Sequence, residues 1–467
     1  MNRRYLLLIL LASSPQVTQH YMKNSGMIKF DDVTPWGDWQ HYHNYTEIVN
    51  TLRYLNDTYP SIVDVFSIGK SWQDREIYCI RLTDEHVTHS KPEVFFVGYH
   101  HARELISMEL PLYFAVEAAT SYGTDVAMTR MIDNSQIYIV VALNVDGFEG
   151  VESNEWQRKN LHPFDEDEDG LVDEDSPDDE DGDGYVEALR QRTGTEWSLI
   201  RWEGVDDDGD GLLNEDWIGG VDLNRNYPCA WDAATQSGST DPGSETYKGP
   251  EPFSEPETQA IRDLALKHDF KYAISFHSGI EIVIYPWSYT DSPTPDDSTF
   301  RETAAALSSL VGVPYAQSGG GMYTSSGVWG DWIYENRSTF AFTCEIYGND
   351  DAWQYDPGPY RDSWWEKGVF EFFNPEPENI EGVVLTWLPS FTYITNKAIA
   401  ESAFEPSKAD LNGDGIVNVI DLSIVAHSYG SRPGDERWNE ANDLNNDQVI
   451  NILDLAFVAS EYGEKAS

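Results

Sequence analysis

The chain opens on a basic pair, Arg3-Arg4, followed by an unbroken apolar run from Tyr5 to Ala12 and the small residues Ser13 and Ser14. That order has the form of an export leader over 1–20, too short to cross a bilayer as a helix. No later stretch is long and apolar enough for a transmembrane helix. From about Tyr45 the pattern becomes periodic. Ile48, Leu52 and Leu55 recur at helical spacing. Continuous apolar runs at Val94–Val97, Ile137–Val141, Tyr272–Phe276 and Thr339–Thr343 predict strands, and Pro111–Ala119 predicts a covering helix. Apolar strands separated by helical segments predict an α/β domain with a mixed, largely buried sheet flanked by helices.

Two regions break this texture. Residues 161–220 carry 22 Asp and Glu against three Arg. Within them Asp-x-Asp-x-Asp-Gly occurs three times: at Asp165, Asp167 and Asp169; at Asp179, Asp181 and Asp183; and at Asp206, Asp208 and Asp210. The second break follows the linker-like Ala403-Phe-Glu-Pro-Ser407. Beyond it, Asp410-Leu-Asn-Gly-Asp-Gly-Ile-Val-Asn-Val-Ile-Asp421 is repeated as Asp443-Leu-Asn-Asn-Asp-Gln-Val-Ile-Asn-Ile-Leu-Asp454. An internal repeat marks 408–467 as a separate two-unit module. Over all 467 residues, 81 Asp and Glu against 30 Lys and Arg give a charge of −51. Such a field repels phosphate backbones, which excludes nucleic-acid binding, and attracts hard divalent cations. Three cysteines, Cys79, Cys229 and Cys344, permit at most one disulfide and exclude a small disulfide-framed fold.

The chemistry concentrates in Gly98-Tyr-His-His-Ala-Arg-Glu104, directly after a predicted strand. His101 and Glu104 are three apart, so one turn presents both side chains to one point. A histidine and a carboxylate suit zinc, and a third ligand would leave one position for water. His277, at the end of the strand 272–276, is the best third candidate.

In this order the motifs resemble the zinc carboxypeptidase family of metallopeptidases over about 41–404. They are His101-Ala-Arg-Glu104, Asn144-Val-Asp-Gly147, Trp156-Gln-Arg-Lys-Asn160, Gly220-Val-Asp-Leu-Asn-Arg-Asn226, Tyr247-Lys-Gly-Pro-Glu-Pro-Phe-Ser-Glu-Pro-Glu-Thr258, Ser275-Phe-His-Ser278, Tyr285-Pro-Trp287, Tyr323 and Phe342-Thr-Cys-Glu345. The resemblance implies that one Zn²⁺ is held by His101, Glu104 and His277, with Asp222 accepting the other ring proton of His101. It implies Glu345 as general base and Arg158 as oxyanion partner. Asn224 and Arg225 would grip the terminal carboxylate of a peptide or protein substrate, Tyr323 would fold over it, and Arg103 would line a more distant subsite. Gly330 falls where a residue at the base of the side-chain pocket separates basic from apolar preferences, which favours apolar or aromatic C-terminal residues. Three positions depart from the family pattern: Val145 replaces a proline, Gly279 a frequent tyrosine and Leu161 a second arginine. The last two are expected to loosen subsites on the amino-terminal side. Only a short segment separates the leader from this domain, so the long inhibitory pro-segment of digestive relatives is expected to be missing.

The acidic loops of 161–220 bring alternate carboxylates to one cation, with glycine permitting the turn. They lack an acid at the twelfth position (Ser176, Arg190, Trp217) and resemble thrombospondin-type calcium repeats more than EF-hands. In the tail, Asp410, Asn412, Asp414, Asn418 and Asp421 occupy positions 1, 3, 5, 9 and 12, and Asp443, Asn445, Asp447, Asn451 and Asp454 repeat them. This duplicated loop-helix resembles a dockerin, which implies structural Ca²⁺ and a cohesin-type scaffold partner; Gln448 in place of the turn glycine is expected to weaken the second loop. The combined reading is a secreted zinc metallocarboxypeptidase. Its rivals are a cell-wall muropeptide peptidase using the same zinc chemistry and a non-catalytic calcium-dependent adhesion protein.

Overall fold

The structure, a computed structural model, describes residues 35–462 apart from 88, 166–169, 171, 174, 194–195, 208, 210, 212, 215–218, 403–406 and 413–416. The expected leader over 1–20, most of the linker-like stretch and the expected cation ligands Asp167, Asp169, Asp208, Asp210 and Asp414 lie outside the described residues. The chain divides into two compact units, Met1–Thr395 and Asn396–Ser467. No helix among the described residues is long and apolar enough to cross a membrane.

The first unit holds strands β1 (Val63–Lys70), β2 (Glu76–Leu82), β3 (Glu93–Val97), β4 (Gln136–Val140), β5 (Ala188–Thr193), β6 (Glu196–Trp202), β7 (Phe270–His277), β8 (Ile280–Tyr285), β9 (Tyr315–Gln317), β10 (Phe340–Tyr347), β11 (Gln354–Pro357) and β12 (Ser363–Lys367). Eight of them form a mixed sheet in the order β1-β2-β4-β3-β7-β10-β8-β9. Its centre, β4-β3-β7-β10, is parallel, which is why those strands read as unbroken apolar runs. Successive side chains of β3 leave opposite faces. Phe95 meets Trp329 of the helix Trp329–Arg337, while Phe96 meets Phe114 and Phe391 from the helices Ile106–Ser121 and Pro389–Ser402. Both faces are therefore covered.

The helix Ile106–Ser121 is buried on nearly all sides, as its continuous apolar sequence requires. Pro111 inside it removes the hydrogen bond to the carbonyl of Ser107. Gly98 fills that opening: a Cβ there would stand 2.4 Å from the Ser107 oxygen. The close approach seats the end of β3 against the start of the helix and fixes the intervening loop, Tyr99–Leu105.

The acidic insertion is not loop throughout. Its β5 and β6 form a hairpin that joins β12 and β11 in a four-stranded antiparallel sheet. The sequence reading missed this hairpin because the surrounding acid runs masked its alternating pattern. Trp156, Val186, Ala188, Trp202, Val369 and Phe373 form the core beneath it.

At the neck of the insertion, Asn160 N donates to Val221 O at 3.1 Å and Val221 N to Asn160 Oδ1 at 2.8 Å. Asn160 Nδ2 then donates to Glu255 Oε2 (2.8 Å) and Glu257 Oε2 (3.1 Å). Both carboxyl groups are buried, and His162 Nδ1 lies 3.1 Å from Glu255. Burial, and then the Glu255 charge, push the Glu257 carboxyl up to about 8. A carboxyl raised above its unfolded value binds a proton in the folded state that the unfolded chain has lost, so its ionisation erodes stability from about pH 4.5 up to pH 8. Glu257→Gln removes that cost. At pH 8 the variant is expected to exceed wild type in stability by at least about 1 kcal/mol, with the two converging near pH 4.5. Parallel pH profiles of the melting temperature would refute this.

Candidate active site

The site lies outside the carboxyl ends of β3, β7 and β10. From β4 on one side of β3 the chain passes to β7 on the other, and clefts in open α/β sheets form where strand order reverses in this way. Tyr99, with φ at +60°, turns the chain out of β3. Glu104 N then donates to His101 O at 3.2 Å. The three-residue spacing is therefore met by a tight turn rather than by a helix.

His101, Glu104 and His277 converge, with one ligand atom from each within 4.8 Å of the others and all three side chains buried. Glu104 Oε1 lies 2.7 Å from His101 Nδ1, and Oε2 lies 3.0 Å from His277 Nδ1. On its far side His101 Nε2 faces Asp222 Oδ1 at 3.1 Å. A carboxylate only accepts, so Nε2 donates to Asp222, and in that neutral tautomer Nδ1 is a bare acceptor facing Glu104. Two acceptors 2.7 Å apart require a proton or cation between them. Two imidazoles and one carboxylate form a donor set that fits zinc. The two Nδ1 atoms are 3.2 Å apart.

Arg158 lies beside this set. Its Nε and one Nη are each 3.0 Å from Asp222 Oδ2, and the other Nη is 3.6 Å from Glu104 Oε1. Ala102 N donates to Arg158 O at 3.0 Å, which ties its backbone to the His101–Glu104 turn. Burial alone would raise the Asp222 carboxyl, but Arg158, Arg225 and His101 hold it well below the usual range. Glu345 sits on β10 directly opposite His277 on β7. Burial and the neighbouring Glu104 charge push its carboxyl well above the usual range, against the pull of Arg158 and Arg225.

Asp222 also accepts from Asn224 N at 2.9 Å and so starts the short turn Leu223–Arg225. Asn224 Oδ1 accepts from Trp329 N at 3.0 Å, and Arg225 Nε donates to Ser237 Oγ at 2.9 Å. Asn224, Arg225, Tyr323, Gly330, Asp331 and Glu345 line one open cavity. Tyr323 is 44% exposed. At Gly330 the nearest atom to an added Cβ is 3.9 Å away, so the position has room. Asp331 is buried and accepts from Ser288 N (2.8 Å) and Ser288 Oγ (3.1 Å), so its carboxyl is already occupied by the protein. Burial pushes it up to about 7.

Residues 48–384, well over half of the chain, match the zinc carboxypeptidase family. The chain belongs to that family. Carboxypeptidase A6 of Homo sapiens is 28% identical over 313 residues, covering 65% of this chain and 60% of that protein. Carboxypeptidase A1 of Sus scrofa is 27% identical over 360 residues, 75% and 69% of the two chains. The chain thus spans about three fifths of the length of the human relative. Carboxypeptidase A from Helicoverpa armigera shares the fold, with a TM-score of 0.57 at 20% identity over 86% of this chain and 82% of that one. Residues 408–461 match the dockerin type I domain.

The departures from the zinc carboxypeptidase pattern acquire physical reasons. At Val145 the backbone N–H that a proline would lack donates to Leu143 O at 3.0 Å. A Cβ at Gly279 would stand 2.8 Å from the Phe373 ring. Phe373 thus fills the space where a looser subsite was expected. The same ring lies 4.5 Å from the Arg103 guanidinium, which binds Glu245 through two 3.1 Å contacts and donates to Trp156 O at 3.0 Å. Arg103 is therefore buried and engaged, and the exposed face of that pair is the Glu245 carboxylate, which the sequence reading did not single out.

In the second acidic loop, Asp179, Asp181 and Glu203 converge as a possible cation-holding group. Asp183, expected as the third ligand, instead pairs with Lys367, which also holds Glu187 and Asp356. In the first and third loops Asp165 accepts from Gly170 N and Asp206 from Gly209 and Gly211 N. In the tail, Asp421 accepts from the N–H groups of Leu411, Asn412 and Asn418, and Asp454 from those of Leu444, Asn445 and Asn451. Asp443 accepts from Asp447 and Gln448 N. Gln448 adopts φ of +65°, where an L side chain costs about 1 kcal/mol that glycine avoids. Gln448→Gly is expected to raise the stability of the tail by about that amount in calcium-containing buffer. A lower melting temperature for its transition would refute this.

Proposed function

We propose that the chain is a secreted, zinc-dependent metallocarboxypeptidase that hydrolyses the last peptide bond of peptides and proteins. One observation carries the reading: the His101, Glu104 and His277 donors converge, Arg158 reaches Glu104, and Glu345, opposite His277 across β10 and β7, lines one cleft with Asn224 and Arg225. When bound there, zinc supplies Lewis acidity and makes water acidic near neutral pH. Asn224 and Arg225 fix the terminal carboxylate, and Arg225 is pre-oriented by Ser237. Tyr323, at the open side of the cavity, closes over the bound end. Arg158 meets the developing oxyanion, its guanidinium steered by Asp222. Glu345 takes a proton from the attacking water and delivers it to the departing amine. The reading also takes the acidic loops and tail as calcium sites. It assigns the tail to a cohesin-type scaffold outside the cell, through the apolar surface lined by Val419, Leu422, Ala426, Ile452, Leu455 and Ala459.

Glu345→Gln is nearly isosteric and retains the ligand set. It is expected to keep zinc and substrate binding while kcat falls by at least roughly 10²–10⁴-fold, the range that proton transfer supplies. Turnover near wild type, with zinc content unchanged, would sink the assignment.

Pocket chemistry gives the substrate preference. With Gly330 at the base and the Asp331 carboxyl already held by Ser288, a Lys or Arg side chain reaching the base of the cavity finds no free counter-ion there. Burying that charge unpaired is costly, whereas an apolar side chain gains by leaving water. The −51 charge favours cationic substrates at long range, but salt screens it beyond about 8 Å. Peptides ending in Phe or Leu are expected to exceed those ending in Lys, Arg or Glu in kcat/KM. Gly330→Asp, for which the space exists, is expected to shift the optimum toward Lys and Arg. A basic optimum in the wild type would overturn the pocket reading.

A further inference from the structure

We infer that Ser275 and His100 form an orienting relay for His277, serving the second histidine ligand as Asp222 serves the first. The inference rests on the zinc reading above. On β7, Ser275 and His277 are two apart and share a face. His277 turns Nδ1 toward Glu104 and His101, while its Nε2 lies 2.9 Å from Ser275 Oγ. Ser275 Oγ lies 3.0 Å from His100 Nδ1, and His100 Nε2 lies 3.5 Å from the Tyr227 hydroxyl. All four side chains are buried. The His100 and His277 rings stack, with centroids 5.2 Å apart and planes at 21°.

Proton placement follows from these contacts. For His277 to offer the Nδ1 lone pair, Nε2 must carry the proton. It donates that proton to Ser275 Oγ, and the serine hydroxyl donates onward to Nδ1 of a neutral His100. His100 then carries its proton on Nε2, toward Tyr227. Asn224 Nδ2, 3.5 Å from His277 Nε2, is a donor facing a donor and takes no part in this relay. A hydroxyl orients the ring without adding charge. Glu104, Asp222 and Glu345 already bring three carboxylates to the site, so a neutral partner for His277 limits the excess of negative charge around the ligands.

The test uses the full chain, freed of zinc by chelation, with zinc affinity read by competition against a chromophoric chelator. Threonine and valine at 275 are isosteres that differ in the hydroxyl. Ser275→Thr is expected to stay within about threefold of wild type, and Ser275→Val to bind zinc roughly 10–100-fold more weakly, the usual cost of losing an outer partner. His100→Leu is expected to weaken zinc in the same direction by a smaller factor, and the Co²⁺-substituted visible spectrum to change in the valine but not the threonine variant. A purely structural role would lower the melting temperature of the zinc-free protein without separating the two isosteres in zinc affinity. Equal zinc affinity for Ser275→Thr and Ser275→Val, or no change in His100→Leu, overturns the relay. Wild type and His101→Ala run alongside: failure of wild type to bind zinc would remove the zinc reading itself, whereas tight wild-type binding with no isostere difference removes the relay alone.

Discussion

Negative charge gathered at the carboxyl ends of three parallel strands is the constraint to which the rest of the first unit answers. Glu104 and Asp222 are buried, and Glu345 stands beside them on β10. The chain answers with Arg158 and Arg225, whose charges hold Asp222 well below its usual range yet leave Glu345 well above it. Burying unmatched carboxylates costs several kcal/mol each unless a cation is found. The site is thus built to be completed by a cation, and the same deficit that disfavours it alone would drive a divalent ion into it. Geometry is not left to that ion. The His101 ring is fixed from behind by Asp222, the Glu104 carboxylate also accepts from Ser278 N at 3.2 Å, and the Gly98 approach to Ser107 holds the turn between them.

The acidic insertion is coupled to this arrangement through its two ends. Arg158 and Asp222, which contact each other, stand just outside the Asn160–Val221 neck. Displacing the neck would therefore separate the guanidinium from the carboxylate that orients it. The far side of the insertion is anchored as well. Trp156 Nε1 donates to Val186 O at 2.7 Å, and its ring packs against Trp202 and Trp353. Strands β11 and β12, which follow β10 and Glu345, complete the sheet begun by β5 and β6. The insertion is thus pinned between the segment that carries Arg158 and the segment that carries Glu345. That arrangement accounts for a 60-residue acidic excursion at a point where a floppy one would disturb both.

Legibility in the sequence followed the range of the interactions. The buried strands were readable because a strand covered on both faces must be apolar throughout, as Val94–Val97 and Tyr272–Phe276 are. His101 and Glu104 were readable from spacing, and the remaining candidate residues were picked out by their family motifs. What escaped depended on long-range partners of ordinary residue types. Ser275 and His100 have no signature of their own; they matter because β3 and β7 are neighbours. Arg103 read as a subsite cation, but Glu245, 142 positions away, and the Phe373 ring claim it. Asp183 read as a chelating position, yet Lys367, 184 positions away, takes it. An acidic repeat reports the means to bind a cation and not which cation, an ion or an ammonium, the fold supplies.

The tail shows how the same acidic chemistry can serve two tasks through one residue. Asp421 closes its loop by accepting from Leu411, Asn412 and Asn418 N, and as the third residue of the helix Val419–His427 it completes a capping box with Asn418. Asp454 does the same with Asn451 at the start of Ile452–Ser460. A carboxylate at a helix N-terminus also opposes the positive end of the dipole. The first residues after these caps are Val419 and Ile420 in one repeat and Ile452 and Leu453 in the other, and all four are exposed apolar side chains. Exposed aliphatic pairs at both helix starts are costly to a free surface and contribute nothing to the core of Ala409, Val417, Val425, Ile450 and Val458. Their placement is therefore set by the caps, and the caps by the same aspartates that close the loops. Loop closure and the presentation of the apolar surface are in this way one structural event, repeated twice along 54 residues that match the dockerin domain.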